Sequence, residues 1–441
     1  MKFIKITVCL ILLSLGVFAQ KADDVLATAT GFTFRVRDLS ADLQKDITDL
    51  PVKIPAGRKS LLDQLISQRV FEAEAKARGI SIGKIYADEK AKIKDPTEEE
   101  IKKVIEANAE KLASLTPANA RKQVVAFLRN VPEQKALNDL FSQLKVKYKL
   151  TPGKDVNAVG LTATDVVATI NGQPITGKDV DDYVKVPLYE ARAELAETIL
   201  GELDEVIFNT LAGAEAKAQG IDSGALIAKE VTDKMKNFTD QERFELQSAF
   251  SKTLFAKYKV NVLYTVPEAP IETISTDDDP VQGAATAPVT VIMFSDFQCS
   301  ACSATHPLLK RAMDQFPGKI RFVVRDYPLE SIHENAFQSA RAAGAANAQG
   351  KFFEYTEILY KNQGALDAVS LKKYATQIGL NAAQFDIDFN SEKTAAEVRK
   401  DIADGDAYGI HSTPTIFING RRQRRFSVED FAGAIQKALA K

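Results

Sequence analysis

Two cysteines separated by two residues lie in the stretch Phe294-Ser295-Asp296-Phe297-Gln298-Cys299-Ser300-Ala301-Cys302, and their type and spacing suit chemistry better than anything else in the 441-residue chain. An apolar run, Val289-Thr290-Val291-Ile292-Met293-Phe294, ends just before them, and Leu308, Leu309, Ala312, Met313 and Phe316 follow in helical order. That order predicts a buried strand leading into a helix whose start carries Cys299. Unpaired backbone N–H groups and the positive end of the helix dipole stabilise a thiolate there and lower its pKa. The arrangement serves thiol–disulfide exchange, a structural cystine or half of a zinc site. A zinc site would need further ligands from His306, His333, His411 or carboxylates, since no second Cys-x-x-Cys exists. The count of cysteines favours redox chemistry, with no metal and no cofactor called for.

The third cysteine, Cys9, sits inside the apolar run Ile6 to Phe18. Lys2 and Lys5 before that run, and Val17-Phe18-Ala19 at its end, make residues 1–19 read as a cleaved secretory signal. The run is too short for a membrane span. Cleavage would discard Cys9, leaving Cys299 and Cys302 as the only thiols of an exported, periplasmic protein, and an oxidising compartment agrees with a redox pair. The formal charge of −2 becomes −4 without Lys2 and Lys5, which gives no electrostatic footprint for nucleic acid. The basic cluster Arg421, Arg422, Arg424 and Arg425 follows Asn419-Gly420 and reads as the solvated strand of a hairpin.

The first half repeats itself. Asp24-Val25-Leu26-Ala27-Thr28 answers Asp165-Val166-Val167-Ala168-Thr169, and Ala73 to Ile80 answers Ala214 to Ile221, both at an offset of 141. Lys147-Tyr148-Lys149-Leu150 answers Lys257-Tyr258-Lys259-Val260 at an offset of 110, so the first copy carries 31 extra residues. Each copy opens with a hairpin, turning at Thr30-Gly31 or Asn171-Gly172, and continues into a leucine-rich helix that should stop at Gly79 or Gly220. Thr97 and Glu100 read as a capping box for a further helix.

On Val167-Ala168-Thr169-Ile170-Asn171-Gly172-Gln173-Pro174-Ile175-Thr176, the Glu-Ala-Lys-Ala-Xaa-Gly-Ile helix ending and the Thr-Glu-Glu-Glu cap, residues 24–265 resemble two copies of the N-terminal chaperone segment of SurA-type foldases. The resemblance implies a helical cradle for unfolded polypeptide or for self-association. It leaves no room for a parvulin-type prolyl isomerase domain, and a rigid spacer is the plainer reading. The expected boundaries are 20–150 for the first repeat and 151–265 for the second.

Pro267, Pro270, the run Asp277-Asp278-Asp279 and Pro280 then mark 266–279 as an acidic linker. Beyond it come the Cys299 strand and helix, the strand Ile320-Arg321-Phe322-Val323-Val324, and about 80 residues of helix-like sequence. The segment Ser412-Thr413-Pro414-Thr415 follows, with a hairpin turn at Asn419-Gly420. Proline at that strand start suits a cis peptide. Residues 280–441 closely resemble the DsbA-like branch of thioredoxin-fold proteins, on Phe-Ser-Asp-Phe-Gln-Cys and Thr-Pro-Thr. The whole chain is therefore expected to be multidomain: a mostly α-helical tandem repeat, then an α/β thioredoxin fold with a helical insertion.

That resemblance implies Cys299 as exposed nucleophile, Cys302 as buried resolving thiol, Pro414 as cis-proline and Pro307 as the kink of the active-site helix. Thr413 would hold a client segment as an added strand. Relatives often place a buried acid six residues before the first cysteine, where this chain has Met293. Asp296 is a nearer acid in sequence, either tuning the pair or capping the strand end. His306 and His411 are further tuning candidates, and His333 reads as a surface residue. The implied activity is a protein thiol–disulfide oxidoreductase acting on unfolded or reduced exported clients, with a redox partner resetting the disulfide. A disulfide isomerase or reductase dimerised by the helical half, and a mainly non-enzymatic chaperone, stay open as alternatives.

Overall fold

The computed structural model describes residues 21–113 and 115–440; the signal-peptide reading of 1–19, with Cys9, lies outside the described residues. The chain divides into two compact units, Met1–Pro267 and Glu268–Lys441.

In the first unit β1 (Val25–Ala29) and β2 (Phe32–Arg35) form one hairpin, and β4 (Val166–Ile170) and β5 (Gln173–Thr176) another. Asn171 (φ 51°) and Gly172 (φ 77°) supply the left-handed backbone that the two-residue turn requires. The long helices Leu50–Arg78 and Gly177–Gln219 both end on left-handed glycines, Gly79 and Gly220. Thr97 and Glu100 form a reciprocal capping box.

The packing units, however, are not the sequence copies 20–150 and 151–265. Strand β1 pairs with β6 (Asn261–Val262) from the end of the second copy, while β4 pairs with β3 (Thr151–Pro152), which directly follows the first copy's Lys-Tyr-Lys segment. The cores show the same exchange. Leu26, Phe34 and Ile47 pack with Ile199, Leu203 and Leu254. Leu65, Val70 and Leu144 pack with Val167, Ile175 and Val180. Helices of 29 and 43 residues carry the chain about 44 and 65 Å at a rise of about 1.5 Å per residue, so the far end of each leaves its own hairpin behind.

Related polar anchors hold the two cores. Glu74, which is buried, accepts from Tyr148 Oη at 2.8 Å and Lys147 Nζ at 2.6 Å. Its counterpart Glu215 accepts from Lys257 Nζ at 2.5 Å and Tyr258 Oη at 3.3 Å. Burial would raise the Glu74 carboxyl, but hydrogen bonds from Lys147, Tyr148 and Arg78 outweigh it and hold the pKa at about 2. The carbonyls of Tyr148 and Tyr258 receive the N–H of Asn171 (2.6 Å) and Thr30 (2.7 Å), tying each hairpin turn to its anchor. Among the described residues no helix is long and apolar enough to cross a membrane.

The second unit is built on a five-stranded sheet of order β11-β10-β8-β9-β7. Strands β8 (Val289–Ser295) and β9 (Ile320–Asp326) are parallel; β7 (Val281–Gln282) and β10 (Thr415–Ile418) run antiparallel to them, and β11 (Arg421–Arg422) antiparallel to β10. Five helices between Ala336 and Ala407 fill the connection from β9 to β10. Val289, Val291 and Met293 of β8 face one core with Phe322 and Val324 of β9, whereas Ile292, Phe294 and Val323 face the other.

The expected linker 266–279 is, from Glu268 onward, a strap packed on this unit. Ile271 bridges to Arg421, whose side chain pairs with Glu268, and Arg422 pairs with Glu272, both at 3.5 Å. Arg421 and Arg422 are accordingly half-buried rather than solvated. Arg325, fully buried on β9, meets Asp279 at 2.9 Å, Asp401 at 2.5 Å and Asp404 at 2.7 Å, and lies over the Phe294 ring at 5.3 Å. A buried guanidinium must be paired, and the acid run supplies Asp279 and, at 3.8 Å, Asp277 among its partners. Arg325→Ala leaves three carboxylates facing one another and should destabilise the second unit by roughly 3–5 kcal/mol. Urea titration of the full chain, followed by exposure of Cys302 to alkylation, should show the earlier midpoint; an unchanged midpoint would refute the role given to Arg325.

Candidate active site

Strand β8 is buried through Ser295, and the three residues after it are held from several directions. The Asp296 carboxylate, itself buried, accepts from Gln298 N (2.7 Å), Leu329 N (2.9 Å) and His333 Nδ1 (2.7 Å). Gln298 Oε1 accepts from Asn335 N at 2.8 Å. From the helical insertion, Gln363 Nε2 donates to Phe297 O at 3.0 Å and Cys299 O at 2.8 Å. A loop fixed this way delivers Cys299 as the N-cap residue of the helix Ser300–Met313, which contains Pro307.

Across from that helix start, the Thr413–Pro414 peptide is cis, and Cys299 Sγ lies 3.4 Å from Thr413 O. The four residues Cys299, Cys302, Thr413 and Pro414, far apart in sequence, meet here. Cys302 is 0% exposed. Cys299 is 8% exposed, which corrects the expectation of an exposed nucleophile: the Thr413 loop and the apolar cluster that includes Phe297 cover most of it.

The two thiols, chemically identical, are driven in opposite directions. A hydrogen bond from Cys302 is the largest influence on Cys299 and lowers its pKa; burial opposes it, and the Thr413 side chain with the backbone N–H groups of Cys302 and Ala301 lowers it further. Thr413 Oγ1, buried with no other partner, is free to serve that thiolate. Burial pushes Cys302 far up, and the sulfur of Cys299 adds to it, while the Asp296 backbone and the Ser295 hydroxyl pull weakly the other way. The result is one ready thiolate and one proton-holding thiol.

The remaining candidates divide. Asp296 caps the strand end and orders the loop. His306 is buried, with its ring 4.9 Å from that of Tyr360 and 6.3 Å from Phe322, and burial lowers its pKa. His411 is exposed on the loop before Thr413. His333, expected at the surface, is instead partly buried on Asp296. Sequence reasoning missed Gln363, Ser295 and Tyr360; the hydroxyls of the last two lie 2.6 Å apart beneath the pair. Ser295 left a signal, as a polar residue in phase with the core face of an apolar strand. Gln363 and Tyr360 arrive from some 60 residues away and left none. Among the described residues no group of three or more metal-ligating side chains is assembled.

A family model described as thioredoxin matches residues 275–437, the region that carries this sheet, cysteine pair and cis-proline. The C-terminal unit is a thioredoxin-like domain. A Na(+)/H(+) antiporter NhaA 1 of Mycolicibacterium gilvum is 37% identical over 153 residues, 34% of this chain and 25% of that protein, so the chain spans about a quarter of the length of such curated relatives. Among solved structures, a thioredoxin-like oxidoreductase from Silicibacter pomeroyi is similar at 25% identity over 37% of this chain and 93% of that one, with a TM-score of 0.34. Alpha-DsbA1 of Wolbachia pipientis is similar at 18% identity over 38% and 94%, with a TM-score of 0.35.

The lowered pKa of Cys299 has a definite pH consequence. A free thiol is protonated below about 8.5, so its alkylation slows steadily through neutral pH, whereas Cys299 stays a thiolate until the pH falls through its own lower value. Alkylation of the reduced thioredoxin-like domain should therefore be almost flat from pH 8.5 to 7 and fall only in acid; a rate that tracks an ordinary thiol would contradict the site's electrostatics.

Proposed function

We propose that the protein is an exported, DsbA-like thiol–disulfide oxidoreductase that forms disulfides in reduced client proteins. The observation that carries this reading is the asymmetry of the pair: Cys299 at a helix start with its pKa lowered, Cys302 wholly buried with its pKa raised. In the oxidised enzyme a client thiolate attacks Cys299 Sγ, the Cys299–Cys302 bond breaks, and Cys302 leaves with the electron pair. A second client thiolate then attacks the client sulfur and expels Cys299, which leaves easily because its thiolate is stable. The client gains a disulfide and the enzyme is left reduced. A disulfide-bearing redox partner resets it, and no cofactor takes part.

The backbone beside the cis-proline offers the client an edge to pair with, and Thr413 and Pro414 are its contact residues. The helical unit, SurA-like in its sequence motifs, holds unfolded clients or brings two copies of the chain together. Export to the periplasm through the signal at 1–19 places the pair where disulfides persist.

Cys299→Ser should abolish dithiol oxidation by the full chain, and Cys302→Ser should accumulate mixed disulfides with a reduced model client, visible on non-reducing gels. Turnover retained by Cys299→Ser would sink the reading.

A further inference from the structure

Cys302 leaves the disulfide as a thiolate in a place where a charge is costly, so a proton must reach it without water. Met293, at the position where an acid was sought in the sequence, is apolar and wholly buried in the cluster that holds both cysteines. The neighbouring strand supplies a different group. Asp326, the last residue of β9, is the register partner of Ser295 at the end of β8. Parallel neighbours lie about 4.8 Å apart with their side chains on the same face. On β9 that face is the one shared by Phe322 and Val324, which pack in the core with Cys299 and Cys302, while Arg325 points to the opposite face. Ser295 in turn meets Tyr360 Oη at 2.6 Å, and its hydroxyl acts on Cys302, pulling that thiol's pKa weakly down.

The Asp326 side chain is not spent on the fold. Its Oδ1 is buried without a hydrogen-bond partner, and what ties the strand end to Asp401 Oδ2 is the backbone N–H of Asp326, at 2.9 Å. The charged and titratable groups around it are Asp401 and Glu397 from the helix Glu392–Ala407, Asp296 from the loop after β8, Arg325 on its own strand, and Tyr360 from the helix Phe352–Lys361. Burial first, then the carboxylates of Asp401 and Asp296, push its pKa well above the usual carboxylate range against the pull of Arg325, so the carboxyl holds its proton more tightly than an ordinary aspartate. A carboxyl that keeps its proton, at the same strand level as a hydroxyl that acts on the leaving sulfur, has the makings of a general acid.

We infer that Asp326 is the proton reservoir for Cys302, acting through the Ser295 hydroxyl. As the client sulfur bonds to Cys299 and the Cys299–Cys302 bond breaks, Ser295 gives its proton to Cys302 Sγ and takes one from Asp326, which is left as a carboxylate. When the partner's disulfide resets the enzyme, the proton runs back from Cys302 to the Asp326 carboxylate. Asp326 is a positioning residue in this scheme, since it acts through Ser295, and the inference rests on the thiol–disulfide reading above.

The test compares wild type, Asp326→Asn, Ser295→Ala and the double variant in full-length protein. For each, the rate of attack by a small dithiol on the oxidised enzyme is measured against pH and corrected for the dithiol's own ionisation. Asp326→Asn should be slower on the order of 10²-fold at neutral pH and lose the limb of the profile that falls as the acid deprotonates. The double variant should be no slower than the worse single one, as expected for two links of one chain. Alkylation of reduced Cys299 should be unchanged. A wild-type rate and profile in Asp326→Asn, or fully additive losses, would overturn the inference.

Infrared difference spectra of oxidised minus reduced wild type, with and without carboxyl-13C aspartate, give a readout that does not depend on the variants folding. A protonated aspartate band that changes with redox state supports the inference, and its absence overturns it. Asp279, also pushed up by burial and Asp401, pairs with Arg325, which faces away from the sulfurs, and should not respond. Because those spectra are taken on chemically oxidised and reduced protein, they remain decisive if wild type fails to oxidise dithiols, an outcome that would refute the functional reading itself.

Discussion

The opposite treatment of two neighbouring thiols, Cys299 lowered in pKa chiefly by Cys302 and the wholly buried Cys302 raised by burial, is the constraint on which the chemistry of this protein depends. It works because the two sulfurs sit in different media only a few ångströms apart. One occupies a helix start where backbone N–H groups converge; the other lies in the apolar core with no way to carry charge cheaply. Everything else in the second unit sustains that difference. The sheet buries β8 on both faces, the insertion lends Gln363 and Tyr360 to the loop and the core, and the cis-proline loop lays a carbonyl and a hydroxyl against the first sulfur.

Electrostatic order on the far side of the sheet has a separate job. Arg325 gathers Asp279, Asp401 and Asp404, and through them fastens the strap at 268–279 and the helix Glu392–Ala407 to the end of β9. Strand β9 is also the one that presents Asp326 on its opposite face. In the first unit a comparable economy appears: the Glu–Tyr–Lys anchor recurs in both copies, and each instance secures the hairpin of the other.

Local features were legible in the sequence. The strand before Cys299, the helix after it, the turns at Asn171-Gly172 and Asn419-Gly420, the stops at Gly79 and Gly220 and the Thr97 capping box each depend on a few neighbouring residues, and each is found. What was not legible depends on residues distant along the chain. Repeats at a fixed offset reveal two copies but not that their hairpins change places, because helix length rather than pattern decides where the chain returns. An acid-rich, proline-rich stretch has the composition of a tether, yet a buried arginine 46 residues beyond Asp279 makes it structural. Asp296 is legible only as an acid at a strand end, open to tuning or capping, and the histidine that shares its carboxylate, His333, reads as an ordinary surface residue because the two lie 37 positions apart. The exposure expected of Cys299 failed for the same reason, since its cover comes from the loop at Thr413.

The most direct measurement of the central claim is the equilibrium reduction potential of the Cys299–Cys302 pair in the full chain, titrated against glutathione buffers at neutral pH. Stabilising the Cys299 thiolate favours the reduced form and makes the disulfide a better oxidant. The account predicts a potential well above the roughly −270 mV of thioredoxin-type reductants, toward the roughly −120 mV of strong oxidants. A value at or below about −270 mV would contradict it.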